Sequence, residues 1–258
     1  MTDEKVFLKA QDIKKSFGSI EVLRGVDFSV RLGEVVALVG DNGAGKSTLI
    51  KVLSGALVPD HGEIWIDSHK VQQYTPRYAI QSGVTTVYQD LSLVDTADVA
   101  YNIFLGQELL KGFFMDKKAM KTQAEGLLKS LDIDIYDVEQ EVGLLSGGQR
   151  QAIAIARAVY NKSKLIIMDE PTAAMGIRES GKVLKLIKKL AREGYGILII
   201  SHNLQSVFDV ADRICVMLGG RIIEDQQKVE LSPMDVTALI TGILPGTGRG
   251  ENGSSEED

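Results

Sequence analysis

A single cysteine, Cys215, stands among 258 residues, so no internal disulfide can form. Its neighbours in Arg213–Leu218 are largely apolar, which predicts a buried small residue rather than a nucleophile and suits a reducing compartment. No apolar run approaches the roughly 18 residues needed to cross a bilayer, and the opening MTDEKVFLKAQDIKK alternates charge with short apolar groups. Neither a signal peptide nor a membrane span is expected. An excess of positive charge is also missing. The formal charge is −6, and the last eight residues, ENGSSEED, carry four acids of that balance, which leaves the body nearly neutral. Nothing in that balance favours a nucleic-acid partner or an anionic bilayer.

Hydrophobic residues make up 44% and charged residues 25%, the proportions of a packed globular body with no internal repeat. Short strand patterns at Val6–Leu8, Val26–Val30 and Val35–Val39 come first, the last continuous enough for a fully buried central strand. Ser47 to Ser54 reads as a helix closed near Gly55, and Gly62 to Val71 as a hairpin on the edge of the first sheet. From about 91 to 160 strand alternation fades, and a helix is predicted over Ala119–Leu131. Strands return at Leu165–Met168 and Ile197–Ile200. Between them lies a helix with Val183, Leu186, Ile187 and Leu190 on one face and Gly194 at its end. That alternation predicts an α/β fold with a mostly parallel sheet covered on both faces. Beyond 242 the chain has turn formers and acids without periodicity, so 243–258 is expected to be a mobile acidic tail.

The segment Gly40, Asp41, Asn42, Gly43, Ala44, Gly45, Lys46, Ser47 fits the phosphate-loop pattern, with Thr48 next in the helix. Glycines let successive N–H groups and the helix start surround phosphate oxygens. Lys46 adds a point charge on the β and γ phosphates, and Ser47 a hydroxyl for Mg²⁺. Leu165–Met168 runs into Asp169 and Glu170: the first can hold Mg²⁺ through water, the second can polarise an attacking water. A solvated strand end is the competing reading of that pair. A second anion-competent turn, Ser146, Gly147, Gly148 and Gln149, opens the helical run Arg150–Tyr160, and a two-fold dimer could pair it with the other chain's nucleotide.

Taken together, LSGGQR beside a phosphate loop and a strand ending in Asp-Glu resembles the ATP-binding cassette family over nearly the whole chain to about 242. The resemblance implies a P-loop NTPase core with an antiparallel β subdomain drawn from 1–90 and 161–242, and a helical subdomain over about 91–160. It implies ATP and Mg²⁺ as cofactors, with LSGGQ reaching the γ-phosphate across a homodimer. It assigns Gln89 to the Mg²⁺ and water site and to coupling with a membrane partner, His202 to the γ-phosphate, and Phe17 to adenine stacking. From the residues alone, Phe17 could equally be a core aromatic, Gln89 a solvated strand end and His202 a satisfied loop histidine. His61 and His69 carry no such assignment.

Within the family, Leu93–Gly106 and Glu170–Glu179 are similar to the ATPases of monosaccharide importers of the ribose, xylose and fructose type. That likeness implies peripheral attachment at the cytoplasmic face of the plasma membrane, through permease subunits that work with a solute-binding protein. Exporter ATPases and soluble cassette proteins are the alternatives; exporters often carry a longer acidic segment before LSGGQ, and soluble cassettes a coiled-coil insertion or a second cassette. Three departures are visible: many such importer ATPases carry two cassettes in one chain where one is read here, so two copies per transporter are expected; Gly176 stands where most cassettes have Asp; and Tyr101 stands where glutamate commonly precedes Asn102. An apolar groove for a membrane partner's helix is expected near Leu91–Phe104, containing Leu93, Val94, Val99, Ile103 and Phe104, some of which must pack inward.

Overall fold

All six residues of the run Val35–Gly40 are buried in a strand, which requires cover on both faces of its sheet. The computed structural model describes residues 6–242, so the expected tail at 243–258 lies outside the described residues. The chain opens with β1 (Val6–Phe17), β2 (Ile20–Arg31), β3 (Val35–Gly40), α1 (Lys46–Leu53), β4 (His61–Ile66), β5 (His69–Val71), α2 (Pro76–Gln81) and β6 (Val84–Val87). A mainly helical stretch follows: α3 (Val99–Phe104), a small hairpin of β7 (Leu110–Lys111) and β8 (Phe114–Met115), α4 (Lys117–Ser130) and α5 (Gly147–Tyr160). The chain then alternates through β9 (Leu165–Asp169), α6 (Ile177–Arg192), β10 (Gly196–Ile200), α7 (Leu204–Val210), β11 (Arg213–Leu218), β12 (Arg221–Gln227) and α8 (Pro233–Ile240).

Two sheets organise these elements. One has the order β12-β11-β3-β10-β9-β6 and is parallel except where β12 pairs antiparallel with β11. The other is antiparallel, in the order β2-β1-β4-β5, with the expected hairpin β4-β5 at its edge. Because side chains alternate along a strand, the parallel sheet feeds two cores. Ala37, Val39, Ile166, Met168, Ile197 and Ile199 face the helices of the insertion and α6. Val36, Leu38, Ile167, Leu198, Cys215 and Met217 face α1 and the antiparallel sheet.

The helices are set by ordinary local chemistry. In α6, Val183, Leu186, Ile187 and Leu190 form the buried face, each contributing about 1.5–3 kcal/mol of apolar burial. Gly194 ends that helix at φ 96, and its N–H donates to the Ala191 carbonyl at 2.9 Å. Cys215 is fully buried, as expected; its thiol donates to Asp225 Oδ1 at 3.1 Å, and burial pushes its pKa up.

Candidate functional site

The C-terminal ends of four parallel strands meet at one edge of the sheet. β3 runs into the phosphate loop, β9 ends on Asp169, β10 leads into Ser201 and His202, and β6 leads to Gln89. Parallel registers place Ile200 opposite Asp169 and Val87 opposite Met168, so these segments emerge side by side. Ligands of open α/β sheets bind at this edge.

In the loop, Gly45 sits at φ 107, and a Cβ there would meet Met217 Cε at 2.9 Å and the Val22 carbonyl at 3.0 Å. A Cβ on Gly40 would lie 2.2 Å from the Met217 carbonyl oxygen. Both positions therefore exclude a side chain. Asp41, Asn42 and Gly43 are exposed, while Ala44 is buried and its carbonyl accepts the Gly220 N–H at 3.0 Å. Lys46 curls back over the loop, with Nζ donating to the carbonyls of Gly40 (2.8 Å) and Asp41 (3.0 Å). Burial lowers its pKa, and the charges of Glu170, Asp41 and Asp169 act in the opposite direction. Ser47 is exposed on the first turn of α1 and Thr48 is half-buried behind it. The N–H groups of Gly43, Gly45, Lys46 and Ser47 find no acceptor among the described residues, which leaves them free for an anion.

Glu170 occupies the left-handed region at φ 51, a conformation that a non-glycine residue holds only under local constraint. The constraint is visible: its N–H donates to the Ile200 carbonyl at 2.9 Å, and its carboxylate is held from the neighbouring segment. Oε1 accepts the His202 backbone N–H at 3.0 Å and lies 2.8 Å from His202 Nδ1, while Oε2 accepts the Ser201 hydroxyl at 3.4 Å. The His202 side chain is 78% exposed against 16% for Glu170, so the imidazole reaches outward from a recessed carboxylate. Burial, then the charge of Glu170, raises the pKa of Asp169, with Lys46 opposing.

The remaining candidates lie further apart. Gln89 is exposed just past β6. Phe17 ends β1 with 51% of its surface exposed, and Lys15 Nζ lies 5.8 Å from its ring centroid, so it is not a core aromatic. Ser146 caps α5 in a reciprocal box: its Oγ accepts the Gln149 N–H at 3.4 Å, and its own N–H donates to Gln149 Oε1 at 3.1 Å. A Cβ on Gly148 would meet Glu179 Cβ at 3.0 Å, so this glycine lets α5 and α6 approach, while Gly147 is exposed. Among the described residues no hydrogen bond or ion pair joins Ser146–Gln149 to Lys46, Glu170 or His202. The Ser146–Gln149 turn thus makes no bond to the chain's own phosphate loop among the described residues.

The structure settles which residues of the expected groove pack inward. Val99, Ile103 and Phe104 are buried, with Phe104 edge-on to the Tyr160 ring at 4.4 Å between centroids. Asp98 caps α3 and turns that face into the core, leaving the half-buried Leu93 and Tyr101 and the 39% exposed Val94 at the surface. Ser201, which donates to the Glu170 carboxylate, and Asn102, Arg150 and Arg157, which hold the segment after Gln89, were not singled out from the sequence. Asn102 carried the one usable signal, a polar residue among the apolar positions of VAYNIF.

Comparison with known proteins identifies the family. Residues 23–173 match the family model for ABC transporters. The chain is 46% identical over 239 residues to the xylose/arabinose import ATP-binding protein of Sulfolobus acidocaldarius, covering 93% of this chain and 95% of that one. It is 42% identical to the fructose import ATP-binding protein of Rhizobium meliloti, again covering 93% and 95%. The ribose import ATP-binding protein of Escherichia coli O157:H7 is 38% identical, but the match spans only 46% of that longer chain. Among solved structures, an ATP-binding cassette of an ABC transporter superposes with a TM-score of 0.82 at 28% identity, covering 92% of this chain and 98% of that one. A nucleotide-free cassette gives a TM-score of 0.78 at 27% identity, covering 91% and 98%. On sequence and fold together, this chain belongs to the ABC transporter family as one of its ATP-binding cassettes.

Proposed function

We propose that this chain is the ATP-hydrolysing subunit that powers import of a simple sugar through separate membrane permease subunits. One observation carries the catalytic part: Lys46, Asp169, Glu170 and His202 converge at a single strand edge, with Glu170 strained, recessed and hydrogen-bonded in place. The printed functions of the xylose/arabinose, fructose and ribose relatives support the cargo class.

In this reading the exposed Phe17 ring stacks on adenine, and the free N–H groups of the phosphate loop with Lys46 hold the phosphates. The Lys46 ammonium trades two carbonyl partners for phosphate oxygens. Glu170 orients the attacking water and accepts its proton, while Ser201 and His202 hold the carboxylate in line. His202, exposed at the mouth, reaches the γ-phosphate. The residues also fit Mg²⁺, since Ser47 and Asp169 offer a hydroxyl and a carboxylate, the hard oxygen donors this ion takes, and the half-buried Asp169 carboxyl, raised by burial first and by the Glu170 charge second, would be relieved by a cation. Ser47 and Asp169 would hold the ion, with Gln89 at its edge; when bound it neutralises phosphate charge.

The Ser146–Gln149 turn then serves a second copy, each nucleotide lying between the phosphate loop of one chain and the signature turn of its partner. Because the ribose relative is about twice as long, two copies of this chain per transporter would supply the two cassettes. Such a subunit sits at the cytoplasmic face of the membrane, held by the permease and coupled through it to a solute-binding protein; no helix among the described residues is long and apolar enough to cross a bilayer. ATP binding and phosphate release by the purified chain, compared with Glu170→Gln, test the enzymatic half of this reading.

A further inference from the structure

The segment that follows Gln89 is held from α5, from α3 and from the residues just before the Ser146–Gln149 turn. Arg157 donates from Nη1 to the Ser92 carbonyl at 2.9 Å and from Nη2 to the Leu91 carbonyl at 2.8 Å. Arg150, two turns earlier on α5, pairs with Asp95 at 2.6 Å. Asn102, fully buried, accepts the Val94 N–H at 2.8 Å and donates to the carbonyls of Val94 (3.0 Å), Ala97 (3.3 Å) and Asp98 (3.0 Å). Backbone bonds close the other side: Val142 N–H to Ala97 at 3.0 Å and Gly143 N–H to Asp95 at 2.9 Å. Those last two lie directly before the signature turn.

We propose that Arg157 is a positioning residue that makes the Leu91–Asp98 loop one rigid unit with α5, so that Gln89 and Ser146 are mechanically joined. The proposal rests on the functional reading above and deepens it. Geometry supports it in three ways. First, the guanidinium fork serves two successive carbonyls, which a single ammonium cannot match in the same plane. Second, α5 is a continuous helix capped by Ser146, so the eleven steps from Ser146 to Arg157 span about 16 Å without a joint. Third, the bolted segment begins at Leu91, and Gln89 and Asp90 before it are exposed, while Ser92 holds φ 49. The joint in this account is then the three exposed residues between β6 and the bolt, Tyr88, Gln89 and Asp90. A displacement of Gln89 at a bound nucleotide then passes to Ser146 and to the surface around Val94 together, rather than being absorbed in a loose loop.

The test uses the full chain and two arms. In the first, hydrogen exchange of the nucleotide-free protein is compared for wild type, Arg157→Lys and Arg157→Met. The account expects amide exchange over Leu91–Asp98 to rise about tenfold or more in both variants, while α5 and the phosphate loop keep their protection and ATP affinity stays within about twofold. Equal loosening of α5, or an unchanged loop, overturns it. In the second arm, ATP-driven dimerisation in a Glu170→Gln background is measured for Gln89→Ala, Arg157→Met and the pair. If Arg157 acts through Gln89, the pair is no weaker than the poorer single variant; effects that multiply overturn the proposal. Absence of any ATP-driven dimer would count against the proposed function instead, and the exchange arm decides the bolt on its own.

Discussion

His202 Nδ1 lies 2.8 Å from Oε1 of Glu170, and the same oxygen accepts the His202 backbone N–H at 3.0 Å. Two bonds to one oxygen fix the carboxylate while leaving the imidazole exposed. Replacing Glu170 with Gln keeps the shape and most of these bonds but removes the base. The expected result is ATP affinity close to wild type and turnover lower by about 10²- to 10⁴-fold. Lys46→Ala should do the reverse to binding, since it strips the half-buried ammonium from the phosphate loop. Equilibrium nucleotide binding and phosphate release separate the two; undiminished turnover in Glu170→Gln would remove it from the role of base.

Stability should respond to pH through Asp169. Burial first, and the Glu170 charge second, raise this carboxyl above its ordinary value of 3.8. A raised acid contributes stability that is full below the ordinary value and is lost as pH climbs through the raised one. Ionised Asp169 therefore costs the nucleotide-free fold stability near neutrality. Asp169→Asn should melt higher than wild type at about pH 7, by on the order of 1 °C because the group is half exposed and screened. The gap should close as pH falls toward about 4. With Mg²⁺ and ATP present the order should invert, wild type gaining more. Melting curves at the two pH values, with and without nucleotide, check this, and a lower melting point for Asp169→Asn at neutral pH contradicts it.

Much of the site was legible because its chemistry is contiguous in the chain. The phosphate loop, Asp169-Glu170 and Ser146–Gln149 each place their key groups within a few residues, so each could be singled out as a candidate from the chain itself. Less of the framework could be read. β1 runs over Val6–Phe17 rather than stopping at Leu8, because Lys9, Lys14 and Lys15 decorate it and a bulge near Asp12, at φ 46, breaks its alternation. The hairpin β7-β8 inside the helical stretch left no pattern, each strand being two residues long. Arg157 was invisible for a different reason: its partners are backbone carbonyls some 65 residues away, which no side-chain pattern records. The direction in which α3 faces was equally hidden, so which residues of the groove pack inward could not be read from the sequence.

Assembly should depend on ATP and on the Ser146–Gln149 turn. With turnover blocked by Glu170→Gln, ATP should drive the chain from monomer to dimer, since nucleotide bridging adds binding energy available only to the paired state. Adding Ser146→Arg should abolish the shift by filling the anion site at the start of α5 and breaking its cap. Sedimentation with and without ATP reads both. A dimer equally populated in each condition, or one indifferent to Ser146→Arg, contradicts the shared nucleotide.

Sugar uptake by vesicles holding this chain with the membrane subunits that co-purify with it tests the central claim most directly. The account predicts ATP-dependent accumulation of a pentose or hexose that is lost in Glu170→Gln. It also predicts loss in Val94→Asp, which puts a charge on the surface remnant of the groove while sparing the soluble chain's ATP turnover. Uptake that persists in Glu170→Gln, or a chain that hydrolyses ATP but never associates with a membrane subunit, would contradict it.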